Sequence, residues 1–341
     1  MTRFILSVGL LWFGAACSEA GDAELLVTGL HYPNDLAIDG EFLYWNQYDG
    51  AIRRIPVAGG EFEELVPTPR PGGATIPIRL DAYNLSVVDG RVYWSLRAEL
   101  STTGLAGGQL WTTTVADALA GGAPQLLAEG LELISDIAAD PSRVCWTTST
   151  QVVCAPSDLT TPSTVVGVGV NIRALALRGT EIYWADAGLV PGQFGGGALR
   201  RGSVTGGAPS VIATGLHRPT DLAIGDGDVL WSDDGTCTLN EGWCYGNSDG
   251  AVRLVRQGTV VTLVTGLTDV TSLASDGEVT VFTSENVTAV TNQLHEITNI
   301  ADSDLTRFPS STATHGDAVF WVNSGTNSGD DGSIGRASWP P

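Results

Sequence analysis

A pair of residues, the second one aromatic, recurs along the chain inside short runs of β-forming residues. The pairs lie 38 to 52 residues apart. A unit of this length repeated along a chain is typical of a repeat architecture, which buries its core by stacking neighbouring units. The seven pairs are Tyr44-Trp45, Tyr93-Trp94, Cys145-Trp146, Tyr183-Trp184, Leu230-Trp231, Val281-Phe282 and Phe320-Trp321.

A second column of the repeat holds a small residue, eight positions before the aromatic residue that ends each pair. The alignment needs no gaps between the two columns, so the repeat is a property of the whole chain. We expect these small residues to lie where the inner strands of the units converge. They are Ala37, Ser86, Ala138, Ala176, Ala223, Ala274 and Ala313.

Each unit reads as four short strands joined by tight turns. In the first unit, Asp39-Gly40, Asp49-Gly50 and Gly59-Gly60 separate the four runs, and such dipeptides tolerate the positive φ of hairpin turns. Seven four-stranded units predict an all-β protein, a seven-bladed β-propeller over residues 24–341.

Closure of the ring is predicted by an extra strand at the start of the repeats. The last unit lacks a fourth strand of its own, whereas Glu24–Leu30 precedes the first unit and matches the fourth strands elsewhere. We therefore expect the segment 25–28 to pair with the segment 334–337, so that no sheet edge stays unpaired.

Two units also carry a family pattern. Tyr183-Trp184-Ala185-Asp186 and Leu230-Trp231-Ser232-Asp233 resemble the YWTD propeller family of receptor ectodomains. The resemblance implies the blade fold. The family has six blades where this chain has seven pairs, and its ligand-binding residues have no counterpart here, so no receptor function follows.

The N-terminus predicts export. Arg3 precedes an apolar stretch, small residues follow it, and Cys17 comes next, which is typical of a signal peptide over residues 1–16. The segment resembles a bacterial lipoprotein signal, although Gly14 stands where leucine is usual. We expect Cys17 to carry a lipid, with 17–23 as a tether and the outer membrane or periplasm as location. The alternative is ordinary cleavage near Ala16 or Ala20.

Charge and missing motifs exclude several functions. The formal net charge is −21, and all 17 basic residues are arginine. Such a surface repels phosphate backbones, so we expect no nucleic-acid partner, and the lack of lysine excludes Schiff-base and P-loop chemistry. No nucleophile elbow, zinc-protease motif or dinucleotide fingerprint occurs. We expect a monomer that meets a membrane only through the lipid.

The remaining four cysteines form two predicted disulfides, Cys145–Cys154 and Cys237–Cys244. An even number of cysteines in an exported protein favours bridges, and a turn at Ser149-Thr150 would place the first pair directly opposite each other. A zinc site is the alternative, but neither pair has the close spacing of a zinc knuckle.

Polar residues recur ten positions before the pair's second member, at the start of the inner strands. We expect these side chains to form a ring at one mouth of the central channel that the blades surround. Carboxylate and amide oxygens are ligands that Ca²⁺ prefers. The arrangement of these oxygens resembles that in metal-dependent lactonase propellers. The alternative is that each aspartate caps its own inner strand. The candidate ligand-binding residues of this ring are Asp35, Asn84, Asp136 and Asp221.

A motif with Gly-Leu-His, then Pro two residues later and Asp two residues after that, occurs at 29–35 and again at 215–221. It adds two histidines, His31 and His217, as candidate ligand-binding residues near the same opening. Acid–base work is one interpretation and a hydrogen bond to the backbone is the other. Long connections on that face form a predicted partner-binding rim. They span the ranges 96–108, 186–197, 233–250 and 323–332.

These observations predict a non-enzymatic binding or assembly module at the cell envelope, without a catalytic residue and without a required cofactor. The alternatives are a metal-dependent hydrolase or lyase at the channel mouth, with Ca²⁺ as its metal, and a structural envelope protein. The sequence does not identify the protein or small molecule that would be the partner.

Overall fold

A computed structural model describes residues 23–68, 79–99, 106–157, 163–188, 196–240, 243–246, 248–301, 305–306, 308–326 and 329–339. Within these residues the chain forms seven antiparallel four-stranded sheets and one additional two-stranded hairpin. The predicted all-β, seven-bladed propeller is confirmed. The signal peptide, Cys17 and most of the tether lie outside the described residues and stay predictions.

The first strand, β1 (Glu24–Leu30), belongs to the last blade. Blade 1 contains β2 (Pro33–Asp39), β3 (Phe42–Gln47), β4 (Ile52–Pro56) and β5 (Glu63–Val66). Blade 2 contains β6 (Arg79–Val88), β7 (Arg91–Glu99), β8 (Ala106–Thr114), a short helix α1 (Val115–Leu119) and β9 (Gln125–Leu131).

Blade 3 contains β10 (Asp136–Asp140), β11 (Arg143–Thr147), β12 (Gln151–Pro156) and β13 (Thr164–Val168). Blade 4 contains β14 (Ile172–Arg178), β15 (Glu181–Asp186), β16 (Gly197–Ser203) and β17 (Ser210–Leu216). In the described part of the chain, no helix is long and apolar enough to span a membrane.

Blade 5 contains β18 (Pro219–Gly225), β19 (Asp228–Asp233), the hairpin strands β20 (Cys237–Asn240) and β21 (Trp243–Gly246), β22 (Gly250–Arg256) and β23 (Thr259–Leu267). Blade 6 contains β24 (Ser272–Ser275), β25 (Val279–Thr283), β26 (Val287–Thr291) and β27 (Ile297–Ala301). Blade 7 contains β28 (Pro309–His315), β29 (Ala318–Asn323) and β30 (Gly332–Ser338).

The predicted closure is confirmed, because β1 pairs antiparallel with β30 and supplies the outermost strand of blade 7. Leu25 lies opposite Gly335 and Val27 opposite Ile334. The chain therefore ties its N-terminal strand to its last blade, which covers the edge that an open ring would expose.

The repeated pair packs the blades against each other. Successive residues of a strand point to opposite faces. Trp45 therefore joins a buried cluster that contains Phe320 of blade 7, while Tyr44 joins a cluster that contains Trp94 of blade 2. The small residue of each repeat lies directly opposite the pair's first member, as Ala37 does opposite Tyr44. The aromatic residue that ends the pair is thus the wedge between neighbouring blades.

Blade 7 shows how tightly these wedges fit. Gly335 pairs with Trp321 across the strands, and a Cβ atom on this glycine would lie 2.0 Å from the Trp321 indole. The space that a side chain would need is already filled by the ring, so the strand position requires glycine.

Two details of the blades bear on the sequence-based predictions. The disulfide Cys145–Cys154 is present, with the two residues opposite each other in β11 and β12 and a Cα–Cα distance of 4.1 Å. The loop predicted over 96–108 is wrong at both ends, because β7 continues to Glu99 and β8 begins at Ala106. Longer strand pairing in blade 2 takes up residues that the sequence suggested were rim.

Candidate functional site

The first strand of each blade lines the central channel. Each of these inner strands contacts its neighbours in a closed circle that runs from β2 through β6, β10, β14, β18, β24 and β28 back to β2. We call the face where the inner strands begin the loop face. The opposite face, formed by the turns between the first and second and the third and fourth strands, is the turn face.

The predicted polar ring lies at the start of these inner strands, and it joins one blade to the next. The Leu85 N–H donates to Asp35 Oδ2 (2.9 Å), the Leu175 N–H to Asp136 Oδ2 (2.7 Å) and the Leu273 N–H to Asp221 Oδ2 (2.8 Å). Each carboxylate thus accepts the backbone amide of the following blade. We call these contacts the ring clamps.

Each ring carboxylate also caps its own strand. Its Oδ1 accepts the backbone amide of the next residue, at 2.9 Å for Asp35 and 2.7 Å for both Asp136 and Asp221. The alternative interpretation of the ring, that its aspartates cap strands, therefore describes one half of their contacts. The other half runs between blades, a role that the sequence analysis did not consider.

Serine and asparagine continue the clamps where aspartate is absent. Ser272 Oγ accepts the Thr312 N–H and Ser311 Oγ accepts the Leu36 N–H, each at 3.3 Å. Asn84 reverses the polarity, since its Nδ2 donates to the Ile134 carbonyl of blade 3 at 3.1 Å. Blade 4 has Ala174 at this position, so its side chain cannot clamp blade 5.

The three ring aspartates influence each other's ionisation. Burial raises the pKa of Asp35 to about 6 and that of Asp221 to about 7. Burial likewise holds the pKa of Asp136 well above its ordinary value, and the charges of Asp221 and Asp35 raise it further. The three residues are half-buried among the converging inner strands, which accounts for the loss of solvation.

The ring carboxylates are engaged in contacts within the protein. The clamps and caps already occupy oxygens on all three aspartates, and the described residues contain no group of three or more His, Cys, Asp or Glu placed to hold a metal ion. A calcium site at the channel mouth stays a prediction that a binding experiment must test.

The two candidate histidines do not join the ring. His31 is exposed and its Nδ1 lies 3.1 Å from Asp330 Oδ1 in the rim connection of blade 7. The His217 carbonyl accepts the Gly235 N–H (3.2 Å), which fastens the rim of blade 5. Neither contact is the predicted hydrogen bond from an imidazole to the backbone, and the role of the two histidines stays a prediction.

Two adjoining pockets open on the loop face. The first, of about 900 Å³, we call the aromatic pocket; Tyr32 and Phe308 supply its rings, and Asp269 and Glu285 supply its carboxylates. The second, of about 750 Å³, we call the mouth pocket, and it reaches Asn84 at the channel. They share Asp269 and Thr271, so the two pockets form one continuous depression.

Sequence reasoning missed the aromatic pocket, whose two rings occupy the same column of the repeat. The residue thirteen positions before the pair's second member adopts a left-handed backbone in five blades, with φ between 45° and 59°. The side chains in this column differ while the backbone conformation stays the same. The repeat can therefore present different side chains on the loop face without a change of fold. Its members are Tyr32, Asn171, Arg218, Asp269 and Phe308.

Three other carboxylates of the loop face are paired with arginine. Arg200 Nε bonds Asp186 Oδ2 at 2.6 Å, and Arg253 and Arg218 contact Asp233 and Asp234. Burial raises the pKa of Asp233 to about 6, and the Arg253 charge opposes that rise. These pairs lie under the rim connections and hold them to the blade.

Two rim connections share a further fastening. The Thr236 N–H and hydroxyl both donate to the Asp249 carboxylate at 2.7 Å. Thr326 bonds Asp331 in the same way, at 2.7 and 2.9 Å. The bases of the connections in blades 5 and 7 are therefore held in the same manner.

The predicted Cys237–Cys244 bridge concerns side chains outside the described residues, and it stays a prediction. The backbone register of the hairpin pairs Cys237 with Gly246 and Leu239 with Cys244. Titration of the unfolded, unreduced protein decides the matter: we expect no reactive thiol from these four cysteines, and two would contradict this second bridge.

No protein-family model matches the chain, and no curated protein matches it. Solved structures do share its fold. A chain of the nidogen–laminin complex is 17% identical over 80% of this chain and 97% of its own length, with a TM-score of 0.53. YCF48 bound to a D1 peptide is 11% identical over 95% of this chain and 96% of its own length, with a TM-score of 0.58.

The β-propeller domain of the Trilobed protease from Pyrococcus furiosus is a third similar structure. It is 10% identical over 85% of this chain and 90% of its own length, with a TM-score of 0.54. That propeller has an open velcro topology, whereas β1 and β30 pair here. At these identities the similarity establishes the β-propeller fold alone.

Proposed function

We propose that this β-propeller is a non-enzymatic binding or assembly module that acts at the cell envelope through its loop face. The fold is consistent with a binding or assembly role. The observation that carries the proposal is the contrast between the ring and the pockets. The ring's polar groups are used within the protein, while the depression above them offers concave surface of the size that ligands occupy.

The difference between the two faces supports the same surface. The turn face consists mostly of tight turns at positive-φ glycines, such as Gly40 and Gly206, with the short helix α1 in blade 2 as an exception. The loop face carries the longer connections, including the β20–β21 hairpin of blade 5. Longer connections give more side chains for recognition, so a partner gains more contacts there.

Two of the similar structures were solved together with another polypeptide, one as the nidogen–laminin complex and one with a D1 peptide bound. Their partners are not transferred to this chain. They support the general proposal that a propeller of this size serves as a platform for a polypeptide partner.

Site-specific photo-cross-linking in the native cell envelope tests the proposal. A cross-linking residue is placed at Asn171 or Ser149 on the loop face, or at Ala208 on the turn face; all three are exposed. We expect a discrete adduct from the loop-face positions and none from Ala208. Adducts from Ala208 alone, or from no position, would overturn the proposal.

The envelope location rests on the predicted anchor. Cys17→Ala should release the protein from the membrane fraction, because a lipid chain supplies the attachment. Shortening the connection 233–250 should in turn reduce cross-linking at the loop face without releasing the protein. A Cys17→Ala variant that fractionates like the wild type would contradict the anchor while leaving the loop-face proposal intact.

A further inference from the structure

The aromatic pocket presents two rings to solvent. Phe308 is 67% exposed, although a large apolar side chain is normally covered. Tyr32 is half-buried and is held by an edge-to-face contact with Tyr48 at a centroid distance of 5.6 Å. The left-handed backbone of both Tyr32 and Phe308 costs free energy for a bulky residue, so the fold maintains these ring positions at some expense.

Two carboxylates at the edge of the pocket have no counter-charge. Within the described part of the chain, neither Asp269 nor Glu285 forms an ion pair. Three other carboxylates of the loop face each contact an arginine. The pocket therefore combines exposed negative charge with exposed aromatic surface.

Two buried hydroxyl groups lining the pocket are engaged within the protein. Thr306 Oγ1 donates to the Glu285 carbonyl (3.3 Å), and Ser324 Oγ donates to the Pro33 carbonyl (3.1 Å). Both residues are buried. The two carboxylates, which accept and do not donate when ionised, supply the negatively charged hydrogen-bonding groups of the pocket.

The protein already builds this combination around one of its own arginines. The Arg54 guanidinium lies 4.0 Å from the Phe42 ring centroid, and its Nε donates to Glu63 Oε2 at 2.6 Å. An aromatic face and a carboxylate together stabilise a cation more than either does alone. Among its described lining residues, the aromatic pocket contains both of these groups and no cation.

We infer that the aromatic pocket binds a positively charged side chain, lysine or arginine, of a partner polypeptide. The inference rests on the proposed function and specifies the chemistry of its partner. The formal net charge of −21 also favours a positively charged partner, because the negative surface attracts cationic segments before contact.

A titration with short glycine–serine peptides that carry one central arginine, glutamine or glutamate tests the inference by ligand-observed NMR. We expect the arginine peptide to bind the wild type, and the double variant Asp269→Asn/Glu285→Gln to weaken this binding by about tenfold. Phe308→Ala should weaken it by about threefold through the lost cation–π contact. Increasing salt should weaken binding to the wild type most.

The matched control removes the same two charges from the turn face. Glu41 and Asp317 are exposed there, and Glu41→Gln/Asp317→Asn should leave the affinity within about twofold, since distant surface charges are screened. Equal losses in the two double variants would overturn the inference, as would no measurable binding of the arginine peptide. Tighter binding of putrescine than of the peptide would overturn the assignment to a polypeptide.

The cross-linking experiment separates the two levels of the proposal. If loop-face adducts persist in the Asp269→Asn/Glu285→Gln variant, the binding function stands, but the inference that the pocket binds a basic side chain is wrong. If wild-type adducts are absent from the loop face, the binding function itself fails. The expected result is a loss of the adducts in this variant and their retention in the turn-face control.

Discussion

Asp221 and Asp269 stand in neighbouring repeats on the same face of the propeller, yet their surroundings are opposite. Asp221 accepts hydrogen bonds from the Leu222 and Leu273 amides and from the Ser272 hydroxyl. Asp269 is exposed, and its carboxylate accepts no hydrogen bond within the described part of the chain. A carboxylate whose lone pairs are used within the fold stabilises the fold, while one whose lone pairs are free is available to a partner.

The largest expected effect is on stability. Asp221→Ala leaves two buried amides without an acceptor and should lower the free energy of unfolding by about 2–6 kcal/mol, because each such amide costs about 1–3 kcal/mol. Asp269→Ala, an exposed change, should lower it by less than about 0.5 kcal/mol. Urea unfolding of the purified variants measures both values, and equal losses would contradict the division between ring and pocket.

A smaller effect is expected from pH. The pKa of Asp221 is raised from 3.8 to about 7 in the folded protein, so the folded state binds a proton more tightly than the unfolded state. Stability should therefore be greater at pH 5 than at pH 8, and it should fall as pH rises through this range.

The Asp221→Asn variant should show a weaker dependence on pH between these values, because it removes one of the titrating groups. Glu285→Gln removes the same charge from the pocket and serves as the control for net charge. Melting temperatures of the three proteins from pH 5 to pH 8 supply the comparison. Parallel curves for the wild type and Asp221→Asn would show that the ring carboxylate does not titrate in this range.

The smallest expected effect concerns Ca²⁺. Because the ring oxygens already accept amides, millimolar Ca²⁺ should shift the melting temperature of the wild type and of Asp136→Ala equally. A site that binds the folded state alone must raise the melting temperature. A rise in the wild type that disappears in Asp136→Ala would make the ring a cation site and would support the metal-dependent alternative.

The repeat explains why the sequence predicted so much of the fold. A fixed distance between the small residue and the aromatic pair sets the register of the two inner strands, and the structure has Ala223 opposite Leu230 as that distance requires. The segment before the first unit predicted closure because it matched the fourth strands. Each of these features depends on local pattern, which repeats make visible.

The site was less predictable because its contacts join distant parts of the chain. Position alone placed Asp35 at the channel mouth, but its acceptor role toward the Leu85 amide depends on how neighbouring blades dock. The aromatic pocket brings together Tyr32 and Phe308 from the two ends of the repeat array. Ring closure creates that proximity, and no local pattern encodes it.

Amide hydrogen exchange at Leu273 tests the central claim most directly, because this amide donates to the Asp221 clamp between blades 5 and 6. Exchange of the Leu273 amide should be slow in the wild type, unchanged in Asp269→Ala, and at least about tenfold faster in Asp221→Ala, since a lost hydrogen bond of about 1.4 kcal/mol changes a local opening equilibrium by that factor. Unchanged protection of Leu273 in Asp221→Ala would contradict the clamp.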